Sequence, residues 1–264
     1  MIKLVVTDMD DTIIPESRVD LNPEYFDVIR QFQEKGVIFV IASGRQKPSI
    51  LKAMGSVTEH LTYLAENGTD ISAEGYEAAL SMKDEDYRAL IADIKTMGYD
   101  YHIMSNRPGK AYIEGNSMNF YRRMTESYGY VTDLVEDVAT LTNVCKVSVF
   151  NKYGMPQSVA KKMQEKWGDK LDVCLAGDLF LDFMNKGCNK GSGLAELQKH
   201  FCVTPEETVA FGNADNDIPM LQQAKYSYAV ANASENLKKV ASEVIGPMKD
   251  HAVLAKMKEI LAQL

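Results

Sequence analysis

Three aspartates lie within four positions near the start of the chain, directly after an apolar stretch. The segment reads VVTDMDDTII over residues 5–14 and contains Asp8, Asp10 and Asp11. Residues two apart in an extended segment face the same side, so Asp8 and Asp10 can share a site while Met9 points away. Two close carboxylates repel each other unless a cation lies between them or one keeps a proton. The spacing therefore indicates a cation site or acid–base chemistry.

A hard divalent cation such as Mg2+ suits this pair, because it takes oxygen ligands and keeps several waters. Taken alone, an Asp-x-Asp pair at the end of a strand usually does no more than form a turn. We assign Asp11 to such a turn. Other polar side chains must join Asp8 and Asp10 before the pair indicates a functional site.

Polar side chains also follow other apolar stretches that we interpret as strands. They are Ser43 and Arg45 after VIFVIA, Asn67 after YLAE, and Asn213, Asp215 and Asp217 after VAFG. Lys190 begins a helical stretch, and the N-terminus of a helix favours anions. Ser43 alone could be a helix cap, and Lys190 alone could be a solvated lysine. Their joint occurrence favours one site, because the functional crevice of an open α/β sheet lies beyond the carboxyl ends of its strands.

The elements that must position these side chains alternate between strand and helix. IKLVVT and VIFVIA are continuous apolar runs typical of strands buried on both faces. Between them, NPEYFDVIRQFQEKG has helical apolar spacing, a possible cap at Asn22, Pro23 in the first turn and Gly36 as a stop. This order predicts a βαβ unit and a parallel sheet. The same rhythm returns from about residue 189.

The middle of the chain has a different pattern. One amphipathic helix is predicted over SMKDEDYRALIADIKTMG, and short strands and a second helix follow it. We therefore predict an α/β fold, a doubly wound parallel sheet interrupted by an inserted α+β domain.

Composition excludes several classes of function. The chain of 264 residues is 45% hydrophobic and 25% charged, with a formal net charge of −8. Such an acidic chain without a basic block is a poor partner for DNA or RNA, whereas a small anionic ligand is still compatible. The four cysteines form no Cys-x-x-Cys pair, and no apolar run has the length of a membrane span. We expect a cytoplasmic protein with no nucleic-acid or membrane partner; the sequence leaves the oligomeric state open.

Four segments together resemble the motifs of the haloacid dehalogenase superfamily. They are DMDDT at 8–12, SGR at 43–45, NKG at 189–191 and GNADND at 212–217. More narrowly, the chain resembles the Cof-type phosphatases, whose α/β cap is inserted between the second and third motifs. The resemblance implies a Rossmann-like core over 1–81 and 186–264, and an α+β cap domain over 82–185.

The resemblance also implies a role for each motif residue. Asp8 resembles the nucleophile that becomes an aspartyl phosphate, and Asp10 resembles the general acid and base. Thr12 resembles the supporting hydroxyl, and Ser43 and Lys190 resemble the groups that hold the transferring phosphoryl group. The implied substrate-binding set is Ser43, Gly44, Arg45, Asn67, Lys190 and Asn216, and the implied Mg2+ set is Asp8, Asp10 (through its backbone carbonyl), Asn213 and Asp217.

One position departs from the family pattern. The fourth motif often begins Gly-Asp, with that aspartate as a magnesium ligand, whereas this chain has Asn213. An amide oxygen can ligate Mg2+ but brings no charge, so we expect lower metal affinity. Asp217 matches the later acid of the motif and could ligate directly or orient a water.

The leading prediction is a Mg2+-dependent phosphatase, a phosphoric monoester hydrolase acting on small phosphorylated metabolites such as sugar phosphates. Three alternatives stay open. A phosphomutase would use the same aspartyl phosphate, a receiver-like phospho-acceptor module would use similar strand-end acids, and a binding protein could have lost turnover. Receiver modules are about half this length and carry no inserted domain.

Overall fold

The structure is a computed structural model, and it describes residues 1–15, 21–98, 100–176 and 178–264. Its strands are β1 (Leu4–Asp8), β2 (Ile38–Ala42), β3 (Thr62–Ala65), β4 (Asp70–Ala73), β5 (Tyr76–Ala79), β6 (Tyr101–Arg107), β7 (Lys110–Glu114), β8 (Thr132–Val135), β9 (Lys146–Asn151), β10 (Leu171–Ala176), β11 (Phe180–Asn185), β12 (Thr208–Gly212), β13 (Tyr226–Ala229) and β14 (Glu243–Val244). Its α-helices are α1 (Glu24–Glu34), α2 (Lys47–Met54), α3 (Asp84–Ile94), α4 (Met118–Arg122), α5 (Gln157–Trp167), α6 (Lys190–Phe201), α7 (Ile218–Gln222), α8 (Glu235–Val240) and α9 (Ala252–Leu261).

These elements form two compact units, one of Met1–Ala78 with Asn189–Leu264 and the other of Ala79–Cys188. Within the described residues, the sheet of the first unit has the order β14-β13-β12-β1-β2-β3-β4-β5. In this spatial order, the six neighbouring strands β14, β13, β12, β1, β2 and β3 are parallel to one another. The next strand, β4, pairs antiparallel to β3. The predicted parallel sheet is confirmed, and its edge is extended by β4 and β5, two strands that were not predicted.

Register places the end of β1 at the centre of this sheet. Asp8 lies opposite Ala42 of β2, and Thr7 lies opposite Phe211 of β12. Every residue of β1 is buried, as expected for a strand with helices on both faces. The loops after β2 and β12 therefore begin beside Asp8, which is the arrangement that a shared site requires.

Helix α1 illustrates how the sequence pattern produces the packing around the sheet. Its apolar stripe, Tyr25, Val28, Ile29 and Phe32, is buried in the core of the first unit. Asn22 accepts a hydrogen bond from the Glu24 backbone N–H at 3.1 Å, and Gly36 has a φ of +75° just after the helix. The helix begins at Glu24, one residue after the predicted first position at Pro23, and it ends just before Gly36 as predicted.

The second unit contains a six-stranded sheet, within the described residues, in the order β10-β11-β9-β6-β7-β8. Its neighbours are antiparallel, except that β8 runs parallel to β7. Helices α3 and α5 contribute to one of its apolar clusters, with Tyr87, Leu90 and Trp167 among the buried side chains. This α+β composition agrees with the pattern predicted for the middle of the chain. No helix among the described residues has the length and apolar character needed to cross a lipid bilayer.

Candidate active site

A buried lysine joins two buried aspartates from different loops of the first unit. The Nζ atom of Lys190 donates to Oδ1 of Asp8 and to Oδ1 of Asp217, both at 2.6 Å. The side chains of Lys190 and Asp8 are 1% and 6% exposed, and that of Asp217 is fully buried. Residues from the first, third and fourth motif segments therefore meet at the carboxyl end of β1.

Lys190 is the first residue of helix α6, and the start of this helix fixes its position. Asn189 caps the helix: its side-chain oxygen accepts from the backbone N–H groups of Gly191 and Ser192 at 3.0 Å, and the Ser192 hydroxyl accepts from the Asn189 N–H. A Cβ on Gly191 would lie 2.4 Å from the carbonyl oxygen of Pro219, so this turn needs glycine. Asn189 is not among the residues predicted for the site, although Asn-x-x-Ser before an apolar helix is the signal of a capping box.

The charges of this cluster perturb one another. Burial raises the pKa of Asp8, the negative charge of Asp217 adds to the effect, and Lys190 opposes it, so that the pKa of Asp8 reaches about 7. Burial lowers the pKa of Lys190, but the two carboxylates outweigh burial and hold that pKa above its ordinary value. When Asp8 is ionised, two carboxylates share one ammonium and the buried cluster carries a net negative charge.

The loop after β1 is folded around Asp8. The Thr12 hydroxyl donates to Oδ2 of Asp8 at 2.7 Å, and Thr12 itself is fully buried. Asp11 has a φ of +54°, and its N–H donates to the Ile14 carbonyl. Asp11 is therefore a turn residue, as predicted, and the turn brings the Thr12 hydroxyl back onto the carboxylate of Asp8.

Asp10 forms an ion pair with Arg45. The guanidinium Nε donates to Oδ1 and Oδ2 of Asp10 at 3.1 and 3.0 Å, and Nη2 also contacts Oδ1. The Arg45 side chain is 8% exposed, and that of Asp10 is 29% exposed. Arg45 was predicted to bind substrate; in this structure its guanidinium holds Asp10, so the SGR segment orients the second aspartate of the first motif.

Ser43 is fully buried directly after β2, and its hydroxyl accepts from the Arg45 N–H at 3.1 Å. It does not cap the following helix, because α2 begins at Lys47 with Gln46 at the cap position. The ordinary explanation for Ser43, that of a helix cap, is therefore wrong. The serine instead forms a tight turn that precedes α2, and Gly44 lies at the centre of that turn.

The loop after β12 presents its residues in three directions. Oδ2 of Asp217 accepts from the Asn213 and Ala214 backbone N–H groups at 2.9 and 3.1 Å, so both carboxylate oxygens are engaged. Asp215 accepts hydrogen bonds from the Ser234 hydroxyl and the Asn236 amide at the start of α8. The amide of Asn216 donates to Oδ1 of Asn67 at 3.1 Å. Asn67 and Asn216 therefore contact each other, which their sequence positions did not reveal.

Among the described residues, no group of three or more histidine, cysteine, aspartate or glutamate side chains is arranged as a metal site. The donor chemistry near Asp8 nevertheless fits Mg2+. The carboxylate of Asp8, the amide of Asn213 and the Asp10 backbone carbonyl are oxygen donors, and Mg2+ accepts few protein ligands together with water. The surplus negative charge around Lys190 also favours an added cation.

Comparison with known proteins places the chain in a family. Residues 5–257 match the haloacid dehalogenase-like hydrolases, which is nearly the full length of the chain. The chain belongs to this family. The match spans all four motif segments, so the resemblance found in the sequence is confirmed.

Relatives and solved structures are similar over their whole lengths. The 5-amino-6-(5-phospho-D-ribitylamino)uracil phosphatase YbjI of Escherichia coli is 26% identical over 98% of this chain and 96% of its own. The crystal structure of SMU.1108c from Streptococcus mutans is 26% identical with a TM-score of 0.88, covering 99% of this chain and 100% of that one. The subclass IIB sugar phosphatase BT4131 shares the fold, with 20% identity, a TM-score of 0.84 and 98% coverage of both chains.

These findings confirm the predicted α/β fold class and the predicted enzyme class, a phosphoric monoester hydrolase of the haloacid dehalogenase-like family.

Proposed function

We propose that this hydrolase is a Mg2+-dependent phosphatase that acts on small phosphorylated metabolites through an aspartyl-phosphate intermediate at Asp8. The observation that supports the proposal most is the buried lysine shared by Asp8 and Asp217. Lys190 neutralises charge at the point where an anionic phosphoryl group would approach a carboxylate nucleophile. Phosphoryl transfer depends mainly on positioning and on such charge stabilisation.

In the first step, a carboxylate oxygen of Asp8 forms a bond to phosphorus while the ester P–O bond breaks. Asp10 takes up a proton as it leaves its ion pair with Arg45, and that proton then moves to the oxygen of the leaving alcohol. In the second step, Asp10 takes a proton from water, the water oxygen attacks phosphorus, and the bond between phosphorus and Asp8 breaks. Inorganic phosphate leaves, and both aspartates return to their starting states. Proton transfer of this kind contributes roughly 10²- to 10⁴-fold to rate.

Other side chains of the site support these steps. Thr12 holds the Asp8 carboxylate by its 2.7 Å hydrogen bond, and Arg45 holds Asp10. Lys190 and the Ser43 hydroxyl would hold the oxygens of the phosphoryl group, with Asn216 as a further donor. Bound Mg2+ would stabilise negative charge on these oxygens.

The proposed ligands of Mg2+ are the Asp8 carboxylate, the Asp10 backbone carbonyl and the Asn213 side-chain oxygen. Asp217 would have a supporting role, because it is fully buried and accepts three hydrogen bonds, two of them from the backbone of its own loop, whereas each oxygen of Asp8 accepts one. We further propose that residues 82–185 act as a cap domain that selects the leaving group, which leaves the particular substrate to experiment. The sugar phosphatase and the phosphoribityl phosphatase among the similar proteins support a phosphorylated metabolite.

The test is a screen of phosphate esters with Mg2+, measuring inorganic phosphate release by the parent protein and by Asp8→Asn. We expect multiple turnovers without an added bisphosphate for the parent, and a loss of roughly 10⁴-fold or more for the variant. A bisphosphate requirement would favour a phosphomutase. Equal rates for parent and variant would refute the mechanism.

A further inference from the structure

A buried turn with unusual backbone geometry follows β3. Glu66, Asn67 and Gly68 have φ values of +50°, +60° and +88°, and all three residues are buried. The left-handed region is rarely adopted by residues with a Cβ, and asparagine is among the few that tolerate it. We call Glu66–Gly68 the 66–68 turn. Conformations of this kind persist only where the surroundings hold them, and they concentrate at functional sites.

The backbone of the 66–68 turn holds the segment that contains Ser43. The Asn67 N–H donates to the Ser43 carbonyl at 3.0 Å, and the Glu66 N–H donates to the Arg45 carbonyl at 3.0 Å. A Cβ on Gly44 would lie only 3.2 Å from Oδ1 of Asn67. The turn therefore fixes the path of Ser43, Gly44 and Arg45 from one side.

The same turn packs against the beginning of α6. A Cβ on Gly68 would lie 2.5 Å from the Asn189 carbonyl oxygen and 3.1 Å from Cα of Lys190. Oδ1 of Asn67 also accepts the amide hydrogen of Asn216 at 3.1 Å. One three-residue turn thus contacts the segments that carry Ser43, Lys190 and Asn216.

We propose that Asn67 is a positioning residue of the phosphate site, acting through Asn216 and the Ser43 segment. This inference rests on the proposed function, and it differs from the prediction that Asn67 contacts substrate. Its backbone holds the carbonyl of Ser43, while its side-chain oxygen holds the amide of Asn216. The Ser43 hydroxyl and the second amide hydrogen of Asn216 are then kept in a fixed mutual arrangement for the phosphoryl group, which lowers the cost of ordering them on binding.

Asn67→Gly removes the side chain of residue 67 and keeps the backbone of the turn, because glycine adopts a φ of +60° readily. The substitution therefore tests the side-chain contact by itself. Asn143→Gly is the matched control: Asn143 has a φ of +56°, is exposed and lies in the second unit. Binding of inorganic phosphate in the presence of Mg2+ is measured by calorimetry for the parent, both glycine variants, Asn216→Ala and the Asn67→Gly/Asn216→Ala double variant. Urea unfolding checks that each protein is folded.

We expect Asn67→Gly to weaken phosphate binding about three- to tenfold, the effect of one lost hydrogen bond, and Asn143→Gly to leave it unchanged. The double variant should bind about as weakly as Asn216→Ala alone, because contacting residues are not additive. With an ester from the screen, kcat should fall more than KM changes for Asn67→Gly. A purely structural role would instead lower stability and leave kcat of the folded protein unchanged.

The proposal would be overturned if Asn67→Gly kept the phosphate affinity and the kcat of the parent. It would also be overturned if the loss of phosphate affinity in the double variant were the product of the losses in Asn67→Gly and Asn216→Ala. The phosphate measurement separates this outcome from failure of the proposed function. If the parent releases phosphate from no ester but still binds phosphate, the hydrolytic mechanism fails and the binding comparison alone decides the role of Asn67. If the parent neither binds phosphate nor releases it from any ester, both proposals fail.

Discussion

Nζ of Lys190 lies 2.6 Å from Oδ1 of Asp8, although 182 positions separate the two residues in the chain. The contact exists because β1 and the N-terminus of α6 meet at the same edge of the sheet. Lys190 also lies 2.6 Å from Oδ1 of Asp217, so it compensates two buried negative charges at once. Stability and catalysis should therefore depend on the same ammonium group.

Lys190→Met should destabilise the metal-free protein by about 3–5 kcal/mol, the usual effect of leaving buried charge uncompensated. Adding Asp217→Asn to Lys190→Met should restore part of the loss, because it removes one of the uncompensated charges. Urea unfolding measures both effects.

Lys3→Met is the matched control for Lys190→Met, since Lys3 pairs with Glu207 at 2.6 Å but is 53% exposed. That substitution should cost no more than about 1 kcal/mol. Equal losses for the two lysine variants would show that Lys190 is not a buried counterion.

The Mg2+ concentration that the protein needs for activity should depend on which residue occupies position 213. EDTA should abolish phosphate release, and added Mg2+ should restore it. Asn213→Asp adds a charged ligand, so the Mg2+ concentration for half-maximal activity should fall roughly tenfold. Asn143→Asp changes the net charge equally in the second unit and should have no effect. An unchanged Mg2+ requirement in Asn213→Asp would contradict the assignment of residue 213 as a ligand.

His102 should make the second unit sensitive to acid. Its ring stacks on Phe120 with centroids 5.5 Å apart, and Nδ1 lies 3.0 Å from the Ser117 hydroxyl. Burial lowers the pKa of His102 below its ordinary value of 6.5, Lys152 lowers it further, and Asp100 opposes them. The unfolded chain therefore binds this proton at a higher pH than the folded protein does. Folding stability contributed by this position is present above pH 6.5 and falls as the pH drops below 6.5.

The comparison that isolates this effect is urea unfolding of the parent and His102→Phe between pH 7 and about pH 5.5. Phenylalanine keeps the stacked ring and removes the titrating nitrogen. The free energy of unfolding of the parent should fall relative to that of the variant as the pH decreases. Parallel profiles would exclude His102 as the cause.

Sequence patterns predicted the parts of this fold that depend on local composition. The strands β1 and β2 appear where continuous apolar runs occur, and Lys190 begins a helix as expected. The alternation of helix and strand predicted from about residue 189 is also present, as α6, β12, α7 and β13. The hairpin of β4 and β5 had no such signal, because its residues are a mixture of small, polar and half-buried side chains.

The sequence predicts which residues form the candidate site, but it does not predict which of them contact each other. Parallel strand ends meet at one edge of a sheet, which is why Asp8, Lys190 and Asp217 could be grouped before the structure was known. The pairing of Arg45 with Asp10, and of Asn67 with Asn216, depends on the paths of separate loops. No local pattern encodes those paths, so the sequence predicts Arg45, Asn67 and Asn216 as substrate-binding residues instead.

In the proposed mechanism, Asp8 becomes covalently phosphorylated during turnover. The most direct test is a rapid acid quench of the protein with Mg2+ and an active ester, followed by mass spectrometry of the peptide that contains Asp8. We predict a phosphoryl group on Asp8 in the parent and none in Asp8→Asn. Rapid phosphate release with no phosphoryl group on Asp8 at any quench time, or retention of activity by Asp8→Asn, would contradict the account.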